Sequence, residues 1–185
     1  MNKLFLMMYF TEKNKKHIGK GFTLVETLVA ISILMLAIVG PLTIASKGLS
    51  AAQFARDQII AFHLSREAVE LVRNTRDTNM LPENSDPATW LNGLSACMSP
   101  NVCKVDGLTM IFSSCSQGDC PVLKKNATGI YGYNGGWEDT AFTRSITIDE
   151  VVPGVEVAVH VSVAWNTGVI FKDFSITEHF FNWRQ

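Results

Sequence analysis

Charge is almost absent from one stretch of this chain. Between Phe22 and Ala45 the only ionisable side chain is that of Glu26. Because about twenty predominantly apolar residues are enough to cross the hydrocarbon core of a bilayer, this stretch is predicted to be a membrane-spanning helix. A carboxylate at the centre of such a helix costs about 2.5 to 3.5 kcal/mol, and less near an end. We therefore expect Glu26 to have a partner and a function.

Signatures of catalysis are missing as well. The chain contains no G-x-S-x-G, no phosphate-binding loop, no carboxylate pair and no H-E-x-x-H. His63 and Glu67 lie four residues apart on a predicted helix, a spacing that can share a metal, but a solvated helix face explains them better. His160 and His179 are interpreted as surface residues. We expect no catalytic residue, no metal site and no cofactor, and hence a protein that is not an enzyme.

The charges that are present are unevenly distributed. Five lysines and one glutamate give residues 1–21 a charge of +4, which leaves 11 basic and 16 acidic residues, or −5, in the rest of the chain. Such an asymmetry predicts that the basic leader stays in the cytoplasm and that the C-terminal part is exported. An acidic exported body argues against a general attraction to nucleic acid, although it does not exclude a local site.

The junction between the leader and the apolar segment has a distinctive sequence. It reads Gly21-Phe22-Thr23-Leu24-Val25-Glu26. This resembles the N-terminal signal of type IV prepilins and type II secretion pseudopilins, a basic leader ending in Gly followed by Phe-Thr-Leu-x-Glu. The resemblance implies that prepilin peptidase cuts between Gly21 and Phe22 and methylates the new amine of Phe22. It also implies that Glu26 meets the N-terminal amine of a neighbouring subunit during assembly.

A structural role in a filament follows from this resemblance. The implied protein is a minor pilin or pseudopilin of a type IV pilus or type II secretion filament, anchored by a single pass in the inner membrane with its N-terminus in the cytoplasm. Its partners would be prepilin peptidase, other subunits and the inner-membrane assembly platform, and the assembled filament would lie in the periplasm or at the cell surface. The alternative is a membrane-anchored extracytoplasmic binding module with an uncleaved signal anchor.

Two further features favour a minor pilin. One is the four-cysteine region, and the other is the tail, Phe180-Phe181-Asn182-Trp183-Arg184, which resembles the aromatic-Asn-Trp-Arg ending of some minor pilins and pseudopilins. Gly40 and Pro41 interrupt the apolar segment, and because proline removes a helical hydrogen bond we expect the helix to kink or melt there. In pilins, a break in this region is associated with stretching of the segment in the filament.

The rest of the chain divides by its periodicity. Apolar residues recur every three or four positions after Ser46, which predicts that the helix continues outside the membrane. From Phe142 the period is two, which predicts antiparallel strands with one buried face. The expected divisions are the leader 1–21, a transmembrane and assembly helix 22–46, an amphipathic helix 47–78, a cysteine-bearing loop region 79–136 and an antiparallel sheet 137–185. Residues 47–136 and the sheet are expected to form one globular domain, giving an α+β, pilin-like fold with a long N-terminal helix packed on a sheet.

Two local details of the second half are also predicted. The four cysteines, Cys97, Cys103, Cys115 and Cys120, suggest two disulfides in an exported protein, with the sequentially local pairing favoured and a zinc site as the rival. Asn166-Thr167-Gly168 predicts a hairpin turn. In the strand that follows, the apolar parity slips between Phe171 and Phe174, which suggests a bulge near Lys172-Asp173 or a change of face.

Overall fold

The computed structural model describes residues 21–81, 89–168 and 170–183. Residues 1–20 of the predicted leader and Arg184 of the tail lie outside the described residues. The described part consists of a long helix, a short 3-10 helix and a seven-stranded antiparallel sheet. Their bounds are α1 Leu24–Asn79, the 3-10 helix Ser95–Cys97, β1 Cys103–Asp106, β2 Ile111–Ser114, β3 Val122–Lys125, β4 Tyr131–Gly132, β5 Glu138–Val152, β6 Glu156–Thr167 and β7 Ile170–Phe181. The α+β, pilin-like layout expected from the sequence is confirmed.

The chain divides into two compact units, Met1–Gly48 and Leu49–Gln185. In the first unit, every residue of α1 up to Gly48 is exposed. The helix is long and apolar enough to cross a membrane. Its few hydroxyl groups donate to carbonyls of the preceding turn, as Ser32 does to Leu28 and Thr43 does to Val39, each at 2.8 Å. These bonds reduce the number of free polar groups in a segment that is apolar enough to cross a membrane.

The predicted break at Gly40 and Pro41 does not interrupt the helix. Both residues lie within α1. Proline removes only one N–H from the ladder, here the donor to the carbonyl of Ala37, and the helical bonds before and after it are retained. The expectation of local melting is therefore wrong for this structure, while the missing hydrogen bond remains as a weak point of the helix.

The second unit is built around β5, the longest strand. β6 pairs with β5 along one side; on the other side, β3 and β1 pair with successive parts of it. β2 extends the sheet from β1, β4 extends it from β3, and β7 pairs with β6 along its whole length. The tight turns at Gly154 and Gly168 have positive φ, which glycine adopts without strain. Both turns join antiparallel neighbours, and the hairpin predicted at Asn166-Thr167-Gly168 is present, with β6 ending at Thr167.

Two expectations about the sheet are corrected. The region 79–136, expected to be loop, contains the four short strands β1 to β4. The bulge suggested near Lys172-Asp173 is absent, since β6 and β7 stay in register throughout. The apolar parity is misleading because Phe171 lies on the solvent face, while Lys172 lies on the helix-facing side with its ammonium 5.6 Å from the centre of the Phe54 ring.

The core lies between the second half of α1 and one face of the sheet. Ala61, Ser65 and Ala68 are buried on the helix, and their small side chains allow it to approach the sheet closely. The Ser65 hydroxyl donates to the Ala61 carbonyl at 2.8 Å and so needs no partner from the sheet. The sheet contributes a row of fully buried valines from β6, which are Val157, Val159, Val161 and Val163.

A buried positive charge crosses this layer. Arg144 of β5 is fully buried, and its guanidinium donates to the Leu64 carbonyl at 3.1 Å, to the Val105 carbonyl at 2.8 Å and to Glu67 Oε2 at 2.9 Å. Burial raises the pKa of the neighbouring Tyr133, whereas the nearby positive charge of Arg144 acts in the opposite direction. Arg144 therefore joins α1, β1 and β5 at one point. A buried charge of this kind is tolerated only while its partners remain.

Removal of the Glu67 carboxylate tests how far the folded state depends on the partners of Arg144. Glu67→Ala is expected to lower the free energy of unfolding by about 2 kcal/mol, less than the roughly 3 to 5 kcal/mol of a fully buried pair, because two carbonyls still bind Arg144. Glu67→Gln retains an acceptor and should cost less. Urea unfolding of the full chain in detergent, followed by tryptophan fluorescence, measures both.

Glu70→Ala is the matched control on the same helix. Glu70 lies 3.8 Å from Arg73 at the surface, and such pairs contribute about 1 kcal/mol or less. Equal destabilisation by Glu67→Ala and Glu70→Ala would show that the buried contact with Arg144 has no special weight.

Candidate functional site

The start of α1 is shaped by a side-chain cap. Gly21, Phe22 and Thr23 precede the helix, which begins at Leu24. Thr23 Oγ1 accepts a hydrogen bond from the Glu26 amide at 3.2 Å, and the Thr23 carbonyl accepts one from the Thr27 amide at 3.1 Å. Thr23 is therefore the N-cap residue, and Glu26 occupies the third helical position. This is the spacing of a capping box, a motif in which the Thr and Glu side chains accept hydrogen bonds from each other's backbone amides.

The position of Glu26 in the first turn of α1 changes the electrostatic environment of its carboxylate. The N-terminal end of a helix carries a partial positive charge, which stabilises a carboxylate in its first turn. Glu26 lies in this turn and is exposed. Its carboxylate is therefore accessible to a cation from outside the chain. The sequence order places Phe22, whose amine cleavage would free, one residue before the cap.

The remaining predicted site residues lie elsewhere. Gly40 and Pro41 are more than a dozen residues further along α1, on the order of 20 Å from Glu26 at the helical rise. The structure thus does not bring them to the acid. The large apolar side chains of this part of the helix are exposed; they include Leu28, Ile31, Leu34, Leu36, Val39 and Leu42. An apolar surface of this extent requires lipid or protein to cover it.

The cysteines form two disulfides with the sequentially local pairing. Cys97 is joined to Cys103, and Cys115 to Cys120. The first disulfide ties the 3-10 helix to β1 inside the core, and the second closes a partly exposed turn after β2. Because all four sulfurs are bonded in pairs, the rival zinc site is wrong for this structure.

The two disulfides should differ in their response to reductant. Cys97 and Cys103 are fully buried, while Cys115 and Cys120 are partly exposed. Since thiolate attack requires access to sulfur, the Cys115–Cys120 bond is expected to be reduced first. Graded dithiothreitol treatment of the folded chain, alkylation and peptide mass spectrometry give the order. Simultaneous reduction of both bonds would contradict this expectation.

The three histidines in the described part of the chain, His63, His160 and His179, have other neighbours than a shared metal would require. Glu67 binds Arg144 instead of sharing a metal with His63, which is exposed beside Phe62. His160 lies 3.3 Å from Asp149, and His179 lies 2.7 Å from Glu156, both on the solvent side of the sheet. Within residues 21–81, 89–168 and 170–183, no group of three or more His, Cys, Asp or Glu is placed to hold a metal.

Sequence reasoning missed two residues that organise the molecule. Arg144 was passed over in the alternating pattern of β5, yet its parity places it on the same face as Phe142 and Ile146, and this signal was available. Thr23 was included only as part of the motif. The Thr-x-x-Glu spacing from Thr23 to Glu26 indicates a helix start without any structure.

Comparison with known proteins supports the interpretation of this end of the chain. Residues 19–40 match the family model described as the prokaryotic N-terminal methylation motif. No curated protein and no solved structure gives a significant match. The motif, followed by a long apolar helix and an antiparallel sheet, supports placing the chain in the type IV pilin and pseudopilin family. The motif implies processing by prepilin peptidase and assembly with other pilins, and the apolar helix fits a single-pass membrane anchor.

The cap itself can be tested by its effect on the first turn. Thr23→Ala removes the acceptor of the Glu26 amide, and a lost N-cap costs about 1 kcal/mol, which corresponds to roughly five-fold faster amide exchange in that turn. Hydrogen exchange of the full chain in lipid nanodiscs measures this. Thr27→Ala is the control, because the Thr27 hydroxyl donates to the Leu24 carbonyl and caps nothing. Equal exchange in the two variants would contradict the assignment of Thr23 as the cap.

Proposed function

We propose that this protein is a structural subunit of a type IV pilus or type II secretion filament, and more specifically a minor pilin or pseudopilin. The observation that carries the proposal is the methylation motif at the start of an exposed apolar segment, residues 22–45, whose single acid lies in the first turn of α1. The disulfide-linked region and the aromatic tail favour a minor pilin. We propose no catalytic activity for this protein, because the family implied by the motif consists of structural subunits.

Processing would occur at the membrane. The basic leader stays in the cytoplasm, and the second unit is exported, in agreement with the charge asymmetry between them. Prepilin peptidase then hydrolyses the bond between Gly21 and Phe22 and methylates the new amine. Methylation leaves this amine basic, so Phe22 presents a positive charge at the start of the helix.

Assembly would use that charge and the apolar surface together. The carboxylate of Glu26 is costly in hydrocarbon as long as it is unpaired. Pairing with the Phe22 amine of a neighbouring subunit neutralises both charges and sets the axial register of the two helices. The exposed apolar side chains of α1 would then leave their contacts with lipid and pack against the equivalent helices of other subunits.

The weak point at Gly40 and Pro41 has a role in this scheme. The carbonyl of Ala37 already lacks its helical donor, so stretching the chain at this position breaks one hydrogen bond fewer than elsewhere. We propose that the segment extends when the subunit enters the filament. The proposed partners of the protein in processing and assembly are prepilin peptidase, other pilin or pseudopilin subunits and the inner-membrane assembly platform.

Substitution of the acid separates the filament subunit from the alternative binding module. Glu26→Gln keeps the size of the side chain and removes its charge, so we expect normal membrane insertion but loss of assembly, N-methylation or both. Immunoblotting of sheared filaments and mass spectrometry of the N-terminal peptide, which should begin at Phe22 and carry one methyl group, measure these effects.

Glu70→Gln serves as the control, because it removes the charge of a glutamate on the exported part of the same helix. This variant should be cleaved, methylated and assembled as the parent chain is. Filaments containing the Glu26→Gln chain at the normal level would refute the registering role. A chain that retains its leader in the parent strain would refute the filament proposal itself and favour a membrane-anchored binding module.

A further inference from the structure

The outer edge of β7 carries unpaired backbone groups. Within the described residues, β7 pairs with β6 alone. Immediately outside the two strands, the Asn182 amide donates to the Val155 carbonyl at 2.7 Å. Because backbone groups alternate between the two sides of an antiparallel strand, the even-numbered residues of β7 bond to β6. The odd-numbered residues therefore point their N–H and C=O groups outward.

The middle of this edge lacks the features that usually prevent edge pairing. The outward carbonyl of Phe181 accepts a hydrogen bond from Arg76 at 3.1 Å. The outward backbone groups of Asp173, Ser175 and Thr177 have no partner among the described residues. The strand contains no proline, and its register with β6 shows no bulge. Since natural sheets normally block a long edge by such means, the stretch from Asp173 to Thr177 is open to another strand.

An apolar groove lies beside the same edge. It is lined by four residues from one face of α1 and by one residue of β7, which are Ala55, Gln58, Ile59, Phe62 and Phe174. No residue of β6 lines the groove, and the side chains of β6 that face α1, from Val157 to Trp165, are buried. The helix therefore covers β6, and the groove lies over β7 on the outer side of the helix.

The apolar side chains near this edge are incompletely covered. Phe174 and Ile176 lie on the same face of the sheet as the buried valines of β6, but both are only half-buried. On the helix, Ile59 is 59% exposed, and the ring of Phe62 packs edge-on against that of Phe174 at 5.8 Å. A strand added to β7 would place every second side chain on this face, where it would cover these residues.

Two cations flank the groove. Arg66 follows Phe62 by one helical turn, and its guanidinium carbon lies 5.7 Å from the centre of that ring. Lys172 precedes Phe174 on the same face of β7, and its ammonium lies 5.6 Å from the centre of the Phe54 ring. Neither cation forms an ion pair with a described residue. A carboxylate near either end of an incoming segment would therefore be attracted to the groove.

We propose that the edge of β7 from Asp173 to Thr177 binds an extended segment of a different protein by strand addition. The segment carries apolar side chains at alternate positions, which enter the groove, and acidic residues at its ends, which face Arg66 and Lys172. Strand addition uses both features of this site, because backbone hydrogen bonds pair the edge while alternate side chains fill the groove. A helix pairs its own backbone groups and leaves the edge unpaired. The inference does not depend on the proposed filament function.

Peptide binding to the full chain, reconstituted at one copy per lipid nanodisc, tests the proposal. The probe is the fluorescein-labelled peptide Glu-Val-Thr-Ile-Thr-Val-Glu, and fluorescence anisotropy should show saturable binding. Hydrogen exchange followed by NMR should show new protection of the Asp173, Ser175 and Thr177 amides. Failure of the parent chain to bind the peptide, or binding without this protection, would overturn the proposal.

Two N-methylated versions of the peptide test whether it binds as a strand. One carries methyl groups on the Thr nitrogens, and the other carries them on the Val and Ile nitrogens. Because only one of these two sets of amides faces β7 in an added strand, we expect one version to lose binding and the other to retain it. Equal affinity of the two versions would contradict strand addition.

Ser175→Pro tests the edge from the side of this chain. The Ser175 amide points away from β6, so proline removes a donor of the free edge and leaves the ladder with β6 intact. We expect this variant to lose peptide binding. Ser175→Ala is the matched control, because it removes the hydroxyl, retains the amide and should bind as the parent chain does. Equal binding by the two variants would count against the edge as the site.

Ile59→Ser tests the groove without changing the sheet. Ile59 is largely exposed, so the fold should be retained, while peptide binding should weaken about ten-fold through the lost apolar contact. Ile111→Ser is the control, since Ile111 is 62% exposed on the edge strand β2 and does not line the groove. If Ile59→Ser bound the peptide as tightly as Ile111→Ser, the groove would have no part in binding and the proposal would fail.

A second copy of the chain is the competing occupant. The edge strands β2 and β4 have only four and two residues, so a second copy would have to use its own β7. Ser175→Cys chains at several copies per nanodisc would then cross-link through position 175 under oxidation, and the peptide would block the cross-link. That result would overturn the proposal, whereas chains that stay monomeric would support it. The four native cysteines do not interfere, because all of them are in disulfides.

Discussion

The structure depends on one constraint: the first half of its long helix is apolar and exposed. The second half of α1 buries its small side chains against β5 and β6, but the first half is exposed throughout. An apolar surface of this size is stable only in lipid or against other apolar helices. The folded second unit and the exposed apolar segment therefore share one helix, α1.

In the second unit, several side-chain contacts fix the helix to the sheet. Arg144 joins α1, β1 and β5, and two arginines near the helix end, Arg73 and Arg76, lie over the ring of Phe180. Arg73 also pairs with Glu178 of β7. The second half of the helix is therefore attached to the sheet by polar contacts as well as by apolar packing.

Periodicity was sufficient to predict α1 and the hairpins of β5 to β7, because these elements are long and have one buried face. It failed for β1 to β4, since strands of two to four residues between turns contain too few alternations to recognise. It also misplaced the apolar face of β7, where Phe171 faces solvent and Lys172 faces Phe54. The motif residues Gly21, Phe22 and Glu26 were evident from sequence. The burial of Arg144 was indicated by its parity in β5 but was not predicted, because charge normally argues against burial.

In the proposed assembly, Glu26 would have two functions that a neutral residue could not perform. At the third helical position it lies in the positive field of the helix start, which lowers the cost of its charge while the subunit is in the membrane. Because the field compensates only part of that cost, the carboxylate still gains by meeting a full positive charge. An acid deeper in the helix would be too costly before assembly. A glutamine would gain nothing from the amine, so under the proposed assembly the first turn is the position where an acid could be tolerated first and paired later.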